Sequence, residues 1–134
     1  MSFNLNKLIG IHFKLNRRDF DGCDCRGIVY LYYKYVKNRI IFISDGKRII
    51  FRNRCKDYER MVNIFKSLNF IPIKFEDLNE GDIVYLKSGY KDAGALGICI
   101  NKYQILHMDA IVGSCLTRIR YLKNLFLTAY RPKW

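Results

Sequence analysis

The stretch "DFDGCDCRGIVYLYYKY", residues 19–35, carries the first decision about the fold. From Cys25 onward, Ile28, Val29, Tyr32, Tyr35 and Val36 recur at helical spacing, which predicts a helix from about Cys25 to Lys37 with one buried stripe. Asp24 stands where an N-cap belongs, its carboxylate able to accept from the unpaired N–H groups of the first turn. Cys25 then lies in that turn, on the side of the stripe. A thiol in this position can be a nucleophile, a metal ligand, a disulfide partner or a core residue. A helix start stabilises a thiolate through its free N–H groups and its dipole. A neighbouring imidazole would complete the activation, and a third polar group would orient that imidazole.

Outward from this stretch, a short apolar segment from Leu5 to Ile11 and a basic loop, "KLNRRDFDG", precede the helix. "RIIFISDGKRIIF" predicts two short strands around an Asp45-Gly46 turn. A second helix is expected from about Cys55 to Leu68, with Tyr58, Met61, Val62, Phe65 and Leu68 inward. After the turn Asn79-Glu80-Gly81 come "DIVYL", "ALGICI", "YQILHM", "SCLTRI" and "FLTAYRP" as strands. Helices first and an antiparallel sheet of about five strands second is an α+β pattern. At 134 residues the chain is long enough for one domain, 1–134, and too short for two.

Ten Tyr, nine Phe and only two Pro argue against disorder. No apolar run is long enough to span a membrane. The opening "MSFNLNKLIG" has no long apolar core and no small-residue cleavage site, so no secretory signal is expected. Five cysteines, an odd number without a disulfide framework, fit synthesis in a reducing compartment. The net charge of +12, from 24 basic against 12 acidic residues, favours contact with something anionic: nucleic acid, a wall polymer or an acidic protein surface. Charge is the only feature that suggests nucleic acid, and no nucleic-acid motif accompanies it. Cys23, Cys99 and Cys115 read as packing residues and His12 as surface. A zinc site from Cys23, Cys25, Cys55 and His107 matches no usual ligand spacing, so neither metal nor cofactor is expected.

"LIGIHFKLNRRDFDGCDCRGIVYLYYKY" resembles the N-terminal half of the NlpC family of cell-wall cysteine peptidases, small papain-like α+β domains. The family's Asp-Cys-x-Gly-Leu/Ile-Val run is matched by Asp24, Cys25, Gly27, Ile28 and Val29. Arg26, a large residue after the cysteine, is similar to the branch found in bacteriophage tail tips. "LNEGDIVYL" resembles the family's Pro-Gly-Asp-Leu/Val strand through Gly81 and Asp82, and Tyr130, Arg131 and Pro132 resemble the Tyr-Arg-Pro end of the tail branch. The resemblance covers nearly the whole chain and is least diagnostic over residues 38–70.

Carried over residue by residue, the resemblance puts Cys25 in the nucleophile's place and Asp24 at the helix cap. The family's base opens the strand His-Val-Gly-Ile-Tyr. Here that strand is "ALGICI", so Ala95 stands where the imidazole belongs. The third polar residue, twelve positions on, is His107. The oxyanion-associated Tyr corresponds to Phe13, and the Gly-Gly of the same loop to Asn16 and Arg17. A three-residue loop centred on Asn101 would set positions 95 and 107 opposite each other on one face. A two-residue loop at Asn101-Lys102 would turn His107 to the other face. In the first case His107 lies beyond the missing imidazole, too far from Cys25 for direct proton transfer. Loss of one triad member costs several orders of magnitude in rate.

The resemblance therefore implies a catalytically degenerate NlpC-like domain. It would serve as a structural or assembly part of a phage tail tip, bound to other tail-tip proteins of the hub, baseplate or tape-measure region. It would be made in the host cytoplasm and carried in the virion. The alternative is a working endopeptidase that cuts peptidoglycan crosslinks during genome entry, through Cys25 and an unorthodox base.

Overall fold

The structure is a computed structural model that describes residues 3–44, 54–87 and 94–133, with side chains from residue 58 onward in the second block. Two two-residue strands, β1 (Arg18–Asp19) and β2 (Gly22–Cys23), form a small hairpin ahead of helix α1 (Cys25–Tyr32). Asp24 caps α1 as expected, its Oδ1 accepting from the Gly27 N–H at 2.8 Å. The helix then continues as one wider π turn, Tyr33–Lys37, closed by Asn38 in the left-handed region at φ 55. Five residues per hydrogen-bonded turn advance the side-chain phase. Tyr33 is therefore buried, whereas Tyr35, expected in the stripe, is exposed and Val36 only half-buried. Helix α2 (Arg54–Ser67) buries Met61, Ile64 and Phe65, with Tyr58, Val62 and Leu68 half-buried. Ile64 was not expected on that face.

The sheet has six antiparallel strands rather than five. They are β3 (Ile71–Pro72), β4 (Ile83–Lys87), β5 (Gly94–Cys99), β6 (Gln104–Asp109), β7 (Gly113–Arg118) and β8 (Phe126–Arg131), in the spatial order β3-β8-β4-β5-β6-β7. The extra strand is two residues long and sits at the edge, where Pro72 costs no ladder bond. Alternation along the strands divides the core. Ile83, Tyr85, Leu96, Ile98, Leu106, Met108 and Tyr130 join Ile28, Val29, Leu31 and Phe65 from the helices. Val84, Leu86, Cys99, Ile105 and Ala129 face the other way, under Ile119 and Leu122 of a 3-10 segment, Ile119–Leu125. That segment is too short for a helical period to show in sequence. Because both faces of β4 are covered, "IVYL" is a continuous apolar run rather than an alternating one.

Residues 39–44 pair in no sheet among the described residues, contrary to the expected strand, although buried Ile41 and Ile43 alternate with exposed Ile40 and Phe42. The expected Asp45-Gly46 turn and the strand after it lie outside the described residues. Cys23 and Cys99 are buried as expected, while Cys115 is half-buried. Among the described residues no helix is long and apolar enough to cross a membrane.

Candidate active-site cleft

The loop before α1 is held by backbone bonds from Cys23 N–H to His12 O and from Lys14 N–H to Cys23 O, each 3.0 Å. Asn16 adopts φ 62, a left-handed conformation that suits glycine and that asparagine tolerates better than most residues. Asp24 fastens this loop as well as the helix. Its Oδ2 accepts from Asn16 N–H at 2.8 Å, and its own N–H donates to Arg17 O at 3.1 Å. Gly27 is required where the loop crosses the helix, since a Cβ there would lie 2.4 Å from the Arg17 carbonyl oxygen. Phe13 is half-buried against the main core and has no hydroxyl to offer an oxyanion.

Cys25 is half-buried at the start of α1. On its far side β5 pairs with β4 down to Gly94, but β6 follows β5 only as far as Gly97. Leu96 lies beyond that pairing, and its N–H approaches the Cys25 sulfur and favours the thiolate. Burial pushes the Cys25 thiol above its ordinary range, and the neighbouring Asp24 carboxylate adds to this against the Leu96 N–H and Arg26. At neutral pH the sulfur is a thiol, and among the described residues no imidazole meets it. Ala95, one residue earlier on β5, carries only a methyl group.

His107 lies opposite Gly97, not opposite Ala95. The reason is the turn. Asn101 opens it instead of centring it, its Oδ1 accepting from the N–H groups of Tyr103 at 2.7 Å and Gln104 at 2.9 Å. The three-residue loop is thus Asn101–Lys102–Tyr103, closed by the Ile100 N–H to Gln104 O bond at 3.1 Å. Positions 95, 97 and 107 still share a face, as expected, with Ala95 and His107 now diagonal neighbours, about 7–8 Å apart by ordinary sheet spacing. Gly97 makes room for the histidine: a Cβ would lie 2.7 Å from Ile105 Cγ2 and 3.3 Å from His107 Cβ.

His107 turns toward β7 instead. Its Nε2 shares a hydrogen bond of 2.6 Å with Thr117 Oγ1 and stands 3.6 Å from Cys115 Sγ. Burial holds the imidazole below its ordinary range, against the pull of Asp109, so it is neutral at pH 7. Burial likewise raises the Cys115 thiol. Sequence reasoning assigned no role to Cys115 and Thr117. Their period-2 spacing in "SCLTRI", with Cys115 opposite His107, was the signal that would have found them. Cys23, Cys25 and His107 do not come together as metal ligands among the described residues, and the Cys55 side chain lies outside them.

The two more distant motifs meet in one contact. Arg131 donates to fully buried Asp82 through Nε at 2.7 Å and Nη2 at 2.9 Å, and Nη2 also reaches Asp77 O at 3.3 Å. Asp82 Oδ2 accepts from Asn79 N–H at 2.8 Å as well. The same turn is tied to α1: Tyr32 donates to Glu80 at 2.6 Å, and Tyr33 donates to Gly81 O. A buried carboxylate needs such partners, and removing one leaves an uncompensated charge.

No protein-family model and no curated protein sequence matches the chain. Solved structures do. The NlpC/p60 domain of the peptidoglycan hydrolase SagA is similar with a TM-score of 0.60, over 92% of this chain and 89% of that one, at 16% identity. A lipoprotein-like NLP/P60-family protein of Staphylococcus aureus gives 0.56, over 98% of this chain and 43% of that one, at 15% identity. The chain has the NlpC/p60 fold. In this fold, Asp24 and Cys25 stand together at the helix start, Ala95 precedes Leu96 on β5, and His107 is turned to Thr117 and Cys115. Among the described residues, nothing draws the proton from Cys25.

Proposed function

We propose that this is an NlpC/p60-type domain that has given up hydrolysis and serves as a structural or assembly component of a bacteriophage tail tip, bound there to other tail-tip proteins. One observation carries the loss of hydrolysis. Burial raises the Cys25 thiol, no imidazole meets it among the described residues, and His107 is neutral and bonded to Thr117. The tail-tip role is supported by the resemblance at Gly81-Asp82 and Tyr130-Arg131-Pro132, whose charged members form the Asp82–Arg131 pair. The basic surface suits acidic partner surfaces.

Purified peptidoglycan incubated with the protein and with Cys25→Ala is expected to release the same muropeptides as buffer, read by chromatography and mass spectrometry. New fragments that need Cys25 would overturn the structural role and establish the alternative, an active endopeptidase. Immunogold labelling of purified virions is expected at the tail tip, and label absent from particles would sink that assignment.

A further inference from the structure

α1 has a second side. At 3.6 residues per turn, Arg26, Gly27 and Tyr30 lie on the half of the helix turned away from Cys25. A cavity of about 140 Å³ opens there, lined by Arg17, Arg18, Arg26, Asp24, Tyr30 and Phe42 among others. Gly27 creates it in part, because the missing Cβ lets the Arg17–Arg18 backbone lie on the helix, with Arg18 Cα only 3.1 Å from where that Cβ would be. Asp24 is the carboxylate in the lining, and both its oxygens are already engaged by Gly27 and Asn16 N–H groups. Arg17 is held by Asp19 at 2.8 Å. Arg18 is different. Its guanidinium stands over the rings of Tyr30 and Phe42, at 5.1 and 4.5 Å from their centroids, and forms no hydrogen bond or ion pair among the described residues. The two rings stack on each other at 5.4 Å and carry the guanidinium, whose N–H groups have no acceptor among the described residues.

We propose that this pocket anchors an acidic side chain, Asp or Glu, of a partner protein. Charge selects an anion, and a planar guanidinium without an acceptor among the described residues matches a carboxylate. Volume selects a small group, because ligand pockets usually begin near ~300 Å³ and this one holds about 140 Å³, room for one side chain but not for a nucleotide. The surroundings continue the match. Phe42 is exposed, Lys34 sits over Tyr30 and Tyr35 at 5.7 and 5.3 Å, and Phe3, Phe20 and Tyr35 cluster beyond with centroids 5.0–6.2 Å apart. Arginine and aromatic residues around one anchoring pocket are the composition of a protein-binding hot spot. The assignment does not use Cys25 and holds whether or not Cys25 hydrolyses anything.

The test is a titration with acetyl-hexaglutamate amide, its hexaglutamine analogue and hexathymidylate, followed by calorimetry and by the NMR signals of Arg18, Tyr30 and Phe42. Hexaglutamate is expected to bind and shift those signals, and hexaglutamine is not. Arg18→Gln, at an exposed position that leaves the fold intact, is expected to weaken hexaglutamate about tenfold, as loss of a hydrogen-bonded charge does. Lys123→Gln, on the 3-10 segment Ile119–Leu125, controls for general charge and is expected to change little. Equal weakening by both variants would overturn the pocket. Hexathymidylate binding tighter than hexaglutamate, with the same dependence on Arg18, would replace the acidic protein by a nucleic acid.

Discussion

Cys25 and Cys115 are both half-buried thiols, and they divide between them what a cysteine nucleophile needs. Cys25 has the helix start and a backbone N–H, from Leu96, but no imidazole. Cys115 has an imidazole at 3.6 Å but sits mid-strand, with no helix terminus to stabilise a thiolate. Burial raises the pKa of both. A thiol, a dipole and a base do nothing catalytic until they converge, and the sheet keeps the base on one face and one side of position 95. Asn101 is the structural reason for this spacing, since the turn it opens puts His107 opposite Gly97.

The largest expected effect tests that spacing directly. Ala95→His would add an imidazole one residue from Leu96, the β5 residue whose N–H acts on Cys25. Alkylation of Cys25 at pH 7 should then rise on the order of a hundredfold, as for thiols paired with a histidine, while Cys115 stays as it was. An unchanged Cys25 rate would mean that the cleft no longer holds the geometry for catalysis. Next is Gly97→Ala, whose new methyl would press on Ile105 and His107. Overpacking of this kind should cost about 1–3 kcal/mol in urea unfolding, and a neutral result would show that the two strands can part. The smallest effect sharpens the Cys115 side. Thr117→Val removes the 2.6 Å bond to His107, costing about 1 kcal/mol and freeing Nε2 for Cys115, whose alkylation should quicken a few-fold. No change in Cys115 reactivity would show that Thr117 is not what restrains the imidazole.

Local chemistry was the legible part. The Asp24 cap, the helix from Cys25, the buried Cys23 and Cys99 and five of the six sheet strands each follow from neighbours within a few residues. What escaped depends on partners far along the chain or on turns without a period. Tyr35 left the stripe because one π turn shifted the phase. The strand expected after residue 38 found no partner among the described residues. Thr117 and Cys115 gained meaning only from the register of β6 on β7.

By itself the sequence determined that an α+β chain carries a cysteine at a helix start and an alanine at the position that the NlpC resemblance assigns to the base. Those are statements about residue identity and local period, and tertiary contacts cannot change them. Only the tertiary structure decided where His107 points, that the Leu96 N–H approaches the Cys25 sulfur, and that the other side of α1 opens a pocket under Arg18. Each depends on strand register or on the crossing of a loop over Gly27, and both are set by packing between segments distant in sequence.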